Sequence, residues 1–140
     1  NAMYLGKNNE LFDYYNGLED LRAMKVKFIG EIEDRIKEDY LRIYRFFRFL
    51  GLFKLPNITL TDQRIVEKYI HESLSILTND IIRQEILKMF STPYTLNCFY
   101  NSHQTQIKLK WVDIIKEHFI RTNYKLGLNK CLNKIDNIIN

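Results

Sequence analysis

The chain has 140 residues, 46% of them hydrophobic and 27% charged, a composition typical of one domain with a core of its own. A formal net charge of +4 permits a polyanionic partner but does not demand one, because many proteins without such a partner carry this balance. Arginine and lysine interrupt the apolar stretches, and two cysteines lie far apart with no signal peptide, so the sequence predicts a soluble, reduced, cytoplasmic protein without a membrane span.

The predicted secondary structure is helical, because only two prolines occur and most apolar residues recur at helical spacing. Asn1-Ala2, directly ahead of Met3, reads as a residue of tag cleavage. A short element over 11–15 precedes the turn signal Asn16-Gly17. The predicted helices then follow in order: 18–28, 34–52, 61–77 with Thr61 as its N-cap, 80–90, 94–102, 107–121 and one within 126–140. The expected fold class is all-α and bundle-like, and it is compatible with a short extended segment at the N-terminus.

The helix predicted over 34–52 has the most informative pattern. Its apolar residues follow the i, i+4, i+7 rule and predict one core-facing stripe, formed by Ile36, Tyr40, Ile43, Phe47 and Leu50. A flank beside the stripe mixes aromatic and charged residues: Arg35, Asp39, Arg42, Phe46 and Phe49. Such a flank predicts packing against another surface, which would require partners for both charges. Judged on periodicity alone, an internal ion pair between Asp39 and Arg42 is the more frequent explanation.

Three sequence motifs resemble those of one enzyme family and occur in the family's order along the chain. The run Arg35-x-x-Glu38-Asp39-x-x-Arg42-x-x-Arg45-x-x-Arg48 resembles the E-D-x-x-R-x-x-R signature of class II CCA-adding tRNA nucleotidyltransferases and related bacterial poly(A) polymerases. Before it, DYYNGLEDL over 13–21 is similar to the D-x-x-x-G-x-x-D-L motif that joins head to neck. After it, 77–89 resembles L-S-x-E-R-I-x-x-E-L, although Ile81 stands where the family has Arg.

The resemblance covers about 11–93 and implies the organisation of the chain. Residues 3–30 would form the head-to-neck junction, 31–103 the neck helices with the nucleotide-selecting helix, and 104–140 further helices. The chain then resembles the neck and body region of the family without its catalytic head. The same motifs occur in CCA addition and in poly(A) addition, so they leave both activities open.

The resemblance also implies how a base would be selected. In the family, the Asp and first Arg of E-D-x-x-R read the incoming base, and these correspond to Asp39 and Arg42. C and A each present an amino donor beside a ring-nitrogen acceptor, which suit a carboxylate and a guanidinium respectively. U and G present a carbonyl acceptor beside an N–H donor, so the same pair would leave charged groups mismatched. ATP and CTP are therefore the implied substrates, and tRNA or another RNA the implied partner.

Further residues take supporting roles by the same resemblance. Arg45 and Arg48 would face the triphosphate or hold the template residues, although an arginine at every third position wraps around a helix, so not all can reach one ligand. Glu38 would orient an arginine, and Asp20 would help fix the head against the neck. Arg35, at the start of the same run, is a further supporting residue.

The carboxylates and glycine-rich turn of a catalytic head are missing from the sequence. No D-x-D occurs, the five glycines are isolated, and the three histidines are too scattered for a metal set. We therefore expect no catalytic residue and no metal site here, Mg²⁺ only together with the missing head domain, and no nucleotide transfer by this chain alone. That head would be on a separate chain or lost.

Other functions and partners stay open at this stage. The chain would alternatively be a catalytically inactive module that binds RNA or nucleotides, or a helical protein-interaction domain. If the head is absent, the surface of 11–21 and the flank with Phe46 and Phe49 would be uncovered, which favours a partner chain or a homo-oligomer.

Overall fold

The computed structural model of the protein describes residues 3–100 and 110–117. Two short strands, β1 (Met3–Leu5) and β2 (Leu11–Asp13), form an antiparallel hairpin at the N-terminal end of this part. Helices follow in chain order: α1 (Gly17–Arg22), α2 (Ile32–Glu38), α3 (Leu41–Leu50), α4 (Leu60–Ile76), α5 (Asn79–Phe90), α6 (Thr95–Tyr100) and α7 (110–117). The expectation of an all-α body with a short extended segment ahead of it is confirmed. The tag residue and the helix expected within 126–140 lie outside the described residues.

The helix predicted over 34–52 is two helices, so that prediction is wrong. α2 ends at Glu38, and Asp39 has an extended backbone with φ −155° and ψ 100°. The carboxylate of Asp39 accepts a hydrogen bond from the backbone N–H of Leu41 at 3.0 Å, which satisfies one of the free donors at the start of α3. A short acidic side chain competes with the helical backbone for such N–H groups, and this competition explains a break at an aspartate.

The apolar stripe persists across this break and forms the centre of the core. Ile36, Ile43, Phe47 and Leu50 are almost fully buried, and Tyr40 packs against the same core from a half-buried position. Trp111 of α7, which is distant in sequence, packs against this stripe. Its indole lies with ring centroids 5.6 Å from Tyr44, 5.8 Å from Phe47 and 5.6 Å from Phe99.

Two further boundaries differ from the sequence prediction. α1 ends at Arg22 instead of near 28, because the next residues bond to a distant loop: the backbone N–H of Val26 donates to Asn57 at 3.0 Å, and that of Asn57 to Met24 at 2.8 Å. The N-cap of α4 is Thr59 instead of Thr61, since its hydroxyl accepts from the backbone N–H of Asp62 at 3.1 Å. Both differences come from backbone hydrogen bonds that periodicity does not report.

The C-terminal end of α3 packs closely against α6 and the residues just before it. A Cβ added at Gly51, the residue after α3, would clash with the Thr92 hydroxyl and the Cys98 thiol. The Cys98 thiol also lies 3.9 Å from the backbone carbonyl of Arg48. Within the described ranges, no helix is both long enough and apolar enough to cross a membrane.

Candidate functional site

A cavity of about 610 Å³ lies between the 26–29 segment and helices α2, α3 and α5. Its cationic lining consists of Lys27, Arg35, Arg42, Arg45, Arg48 and Lys88. Glu85 is the only carboxylate among the described lining residues, and the remaining wall is apolar or aromatic. A concave surface with this excess of positive charge suits an anionic ligand that also has an apolar face.

All three arginines of α3 that the signature contributes face this cavity. Residues at i, i+3 and i+6 drift around a helix by about 60° per step, so Arg42, Arg45 and Arg48 spread over one broad side of α3. The cavity is wide enough to follow that spread, and all three side chains line it. Arg35 reaches the same wall from α2. The fold therefore brings four predicted site residues to one place.

Glu38 holds two of these arginines. The guanidinium of Arg42 donates to the Glu38 carboxylate at 2.7 Å and to the backbone carbonyl of Arg35 at 2.7 Å. Arg35 donates to the same carboxylate oxygen at 2.5 Å. The hydrogen bond from Arg42, together with the nearby charge of Arg35, lowers the pKa of Glu38 from its usual value, because both favour the charged form. Glu38 is thus an acceptor that orients both guanidinium groups at the cavity wall.

Asp39 stands beside the cavity and is not among the described residues that line it. Its Oδ1 accepts the backbone N–H of Leu41, and its Oδ2 lies 3.7 Å from Nη1 of Arg45. The ion pair between Asp39 and Arg42 that periodicity favours is not formed, since Arg42 bonds to Glu38 instead. The break between α2 and α3 explains this difference, because it takes the two residues off a common helix face.

Arg48 is anchored by a buried carboxylate of α5. Its Nη1 donates to Glu85 at 2.8 Å, and Lys88 donates to the other oxygen of the same carboxylate at 2.7 Å. Glu85 is only 3% exposed, so it depends on these two cations for its charge balance. The sequence interpretation missed Glu85 and Lys88 as lining residues. The signal for Glu85 was present, because it matches the second glutamate of the motif L-S-x-E-R-I-x-x-E-L that 77–89 resembles.

The aromatic flank of α3 is covered largely by this chain itself. Phe46 is 4% exposed, and its ring stacks on that of Phe28 with centroids 5.4 Å apart. Phe49 remains 42% exposed and lies 5.3 Å below the guanidinium carbon of Arg48. The expectation that both phenylalanines would be uncovered is therefore wrong for Phe46, because the 26–29 segment packs over it.

The junction motif has a clear local geometry. The Asp13 carboxylate accepts the backbone N–H groups of Gly17 at 2.6 Å and Leu18 at 2.9 Å, at the start of α1. These two bonds lower the pKa of Asp13, the bond from Leu18 having the larger effect. Asp20 pairs with Lys27 at 2.7 Å and so ties α1 to the cavity wall. Its expected role in fixing a head domain stays a prediction.

The donor set does not suit a hard divalent metal. The described residues contain no group of three or more His, Cys, Asp or Glu side chains arranged to hold an ion. Glu85, the carboxylate of the cavity wall, is already paired with two cations. Mg²⁺ prefers several oxygen ligands in near-octahedral geometry, which this wall does not offer.

Comparison with known proteins finds relatives that are named as CCA-adding enzymes. No family model matches the chain. The human protein named CCA tRNA nucleotidyltransferase 1, mitochondrial, is 59% identical over 51 residues, which are 36% of this chain and 12% of the human protein. The CCA-adding enzyme of Lactobacillus helveticus is 32% identical over 107 residues, 76% of this chain and 26% of that enzyme. The chain is homologous to part of the CCA-adding enzymes.

These relatives confirm the resemblance of the three motifs to CCA-adding enzymes. The chain spans only 12% to 26% of the length of the two relatives named above. A third CCA-adding enzyme, from Lactobacillus delbrueckii subsp. bulgaricus, is 35% identical over 89 residues, 64% of this chain and 22% of that enzyme. The human relative is named as mitochondrial, so the cytoplasmic location expected from the sequence stays a prediction.

Proposed function

We propose that this chain supplies base selection and phosphate contacts in a CCA-adding tRNA nucleotidyltransferase, with ATP and CTP as nucleotides and tRNA as the RNA. One observation supports this proposal above the others: Arg42 and five further cations line a single cavity beside Asp39. A cavity of about 610 Å³ lies within the size range of small-molecule sites, and its mixture of cationic and aromatic walls suits a nucleotide.

Base selection would use the two residues on either side of the helix break. The guanidinium of Arg42 would donate to the ring nitrogen of C or A, and the carboxylate of Asp39 would accept from the adjacent amino group. Oδ1 of Asp39 is engaged by Leu41, which holds the carboxylate in one orientation. Oδ2 lies 3.7 Å from Arg45, longer than a hydrogen bond, and so keeps acceptor capacity for the base.

Phosphate contacts would come from the other cations of the wall. Arg45, Arg48, Lys27 and Lys88 offer donors to a triphosphate, and Glu85 keeps Arg48 in place. Since the described donor set does not fit Mg²⁺, the metal and the transfer chemistry would require the catalytic head of the family, on a separate chain or a separate part of the protein. We expect no nucleotide transfer by this chain alone.

Poly(A) addition remains the alternative reaction, because the same motifs serve both activities. The relatives reported above are named for CCA addition, which is why we propose that reaction. A catalytically inactive nucleotide- or RNA-binding module would keep the cavity but lack a head. A helical interaction domain would show no nucleotide preference at all.

The experiment that tests the proposal is calorimetric titration of the protein with ATP, CTP, GTP and UTP. We expect ATP and CTP to bind more tightly than GTP and UTP, and Arg42→Gln to remove this preference. Arg83→Gln is the matched control, because Arg83 pairs with Asp80 at 2.7 Å outside the cavity. Equal affinity for the four nucleotides, or binding of none, contradicts the proposal.

A further inference from the structure

Tyr15 lies in a hydrogen-bonded turn and lines the candidate nucleotide cavity. The turn connects β2 to α1, and in it the Asp13 carboxylate accepts the backbone N–H groups of Gly17 and Leu18. The next residue, Asn16, has φ 56°, so the turn has a defined left-handed step. The ring of Tyr15 lines the cavity together with the four arginines of the signature.

The ring of Tyr15 is available to a ligand. It is 50% exposed, and within the described residues it has neither an aromatic partner nor a hydrogen bond from its hydroxyl. Three other aromatic rings of the cavity wall have partners: Phe28 and Phe46 stack on each other, and Phe49 lies under the guanidinium of Arg48. Tyr4 of β1 also lines the cavity and is 55% exposed. Tyr14, the neighbour in sequence, is more exposed at 72% but stacks on Phe12 and does not line the cavity.

We propose that Tyr15 is a positioning residue whose ring stacks on the base of the bound nucleotide. This inference rests on the proposed function, since it assigns a partner to the base that Asp39 and Arg42 would read. A stacking ring accepts every base, because each base has a π face. Its contribution would therefore be similar for A and C, and Asp39 and Arg42 would supply the selection. A tyrosine held by a capped turn loses little entropy on binding, which favours this use.

The test compares nucleotides with inorganic triphosphate, which has no base. We expect Tyr15→Leu to weaken binding of ATP and of CTP by a similar factor, about 10-fold, the scale of one base–aromatic stack. The affinity for inorganic triphosphate should be unchanged, because the cations of the wall remain. Tyr15→Phe keeps the ring and should bind like the wild type. Tyr14→Leu is the matched control and should also bind like the wild type.

Three outcomes would contradict the stacking role of Tyr15. Unchanged ATP and CTP binding by Tyr15→Leu, in a wild type that prefers these nucleotides, overturns the stacking role alone. An equal loss for ATP and for inorganic triphosphate also overturns it, because the ring would then act only by shaping the cavity. A wild type that binds no nucleotide overturns the proposed function together with the inference. Unfolding curves of Tyr15→Leu and Tyr15→Phe establish that both variants are folded.

Discussion

The carboxylate of Asp39 accepts a hydrogen bond from the backbone N–H of Leu41 at 3.0 Å, and this contact begins α3. One oxygen of the side chain is therefore committed to the fold. The other faces Arg45 at 3.7 Å and is the atom proposed to meet the base. A single aspartate would thus cap the start of α3 and also read the nucleotide. Two substitutions of Asp39 distinguish these two roles.

We expect Asp39→Ala to lower the free energy of unfolding by about 1 kcal/mol, because the start of α3 loses its capping acceptor. Asp39→Asn should change it by only a few tenths of a kcal/mol, since the amide oxygen still accepts from Leu41. Both variants should lose the preference for ATP and CTP. Urea denaturation gives the stabilities and calorimetry the preferences. An equal loss of stability in the two variants would contradict the capping role.

The pair between Arg48 and Glu85 gives a second prediction. Glu85→Leu should lower the free energy of unfolding by about 2 kcal/mol, because Arg48 keeps a partly buried charge without its partner. The double variant Arg48→Leu/Glu85→Leu should recover part of that loss, since neither charge then remains unpaired. Urea denaturation of these two variants and of the single variant Arg48→Leu measures the coupling between the two residues.

A surface pair serves as the control for this cycle. Asp80 is paired with Arg83 at 2.7 Å, and its side chain is 68% exposed. Asp80→Ala should cost less than about 1 kcal/mol, because water replaces the lost partner. Equal costs for Glu85→Leu and Asp80→Ala would show that burial adds nothing to the Arg48–Glu85 pair.

The capped turn at Asp13 predicts a dependence of stability on pH. The pKa of Asp13 is lowered in the folded protein by the N–H groups of Leu18 and Gly17, so its charged form stabilises the fold. That stabilisation is fully present above the ordinary pKa of 3.8 and is lost as the pH falls through the lowered folded value.

Asp13→Asn provides the comparison, because asparagine has no charge to titrate. The difference in unfolding free energy between wild type and variant should be constant near neutral pH and shrink in acid. The other carboxylates with lowered pKa in the described part of the chain, Glu33 and Glu38, are present in both proteins, so their contributions cancel in the difference. Denaturant unfolding of both proteins from pH 7 to pH 2 measures this difference in unfolding free energy. A difference that grows in acid would contradict the assigned direction.

Local pattern was sufficient for the helical class and for most of the core. The spacing of Ile36, Ile43, Phe47 and Leu50 predicted a buried stripe, and these residues are almost fully buried. Their periodicity worked because a helix repeats its faces at a fixed interval whatever lies around it. The same periodicity failed at Asp39, where a side chain bonds to the backbone and interrupts the helix within the predicted stripe.

The sequence by itself determined the family motifs, the cationic run of α3 and the residues proposed to read a base, because these depend on residue types at fixed spacing. Only the tertiary structure decided which groups meet. Tyr15 lines the same cavity as the arginines from the N-terminal turn, Glu85 of α5 bonds to Arg48, and Phe28 stacks on Phe46. Contacts between residues far apart in the chain arise from packing of whole elements, and residue spacing within one element contains no information about that packing.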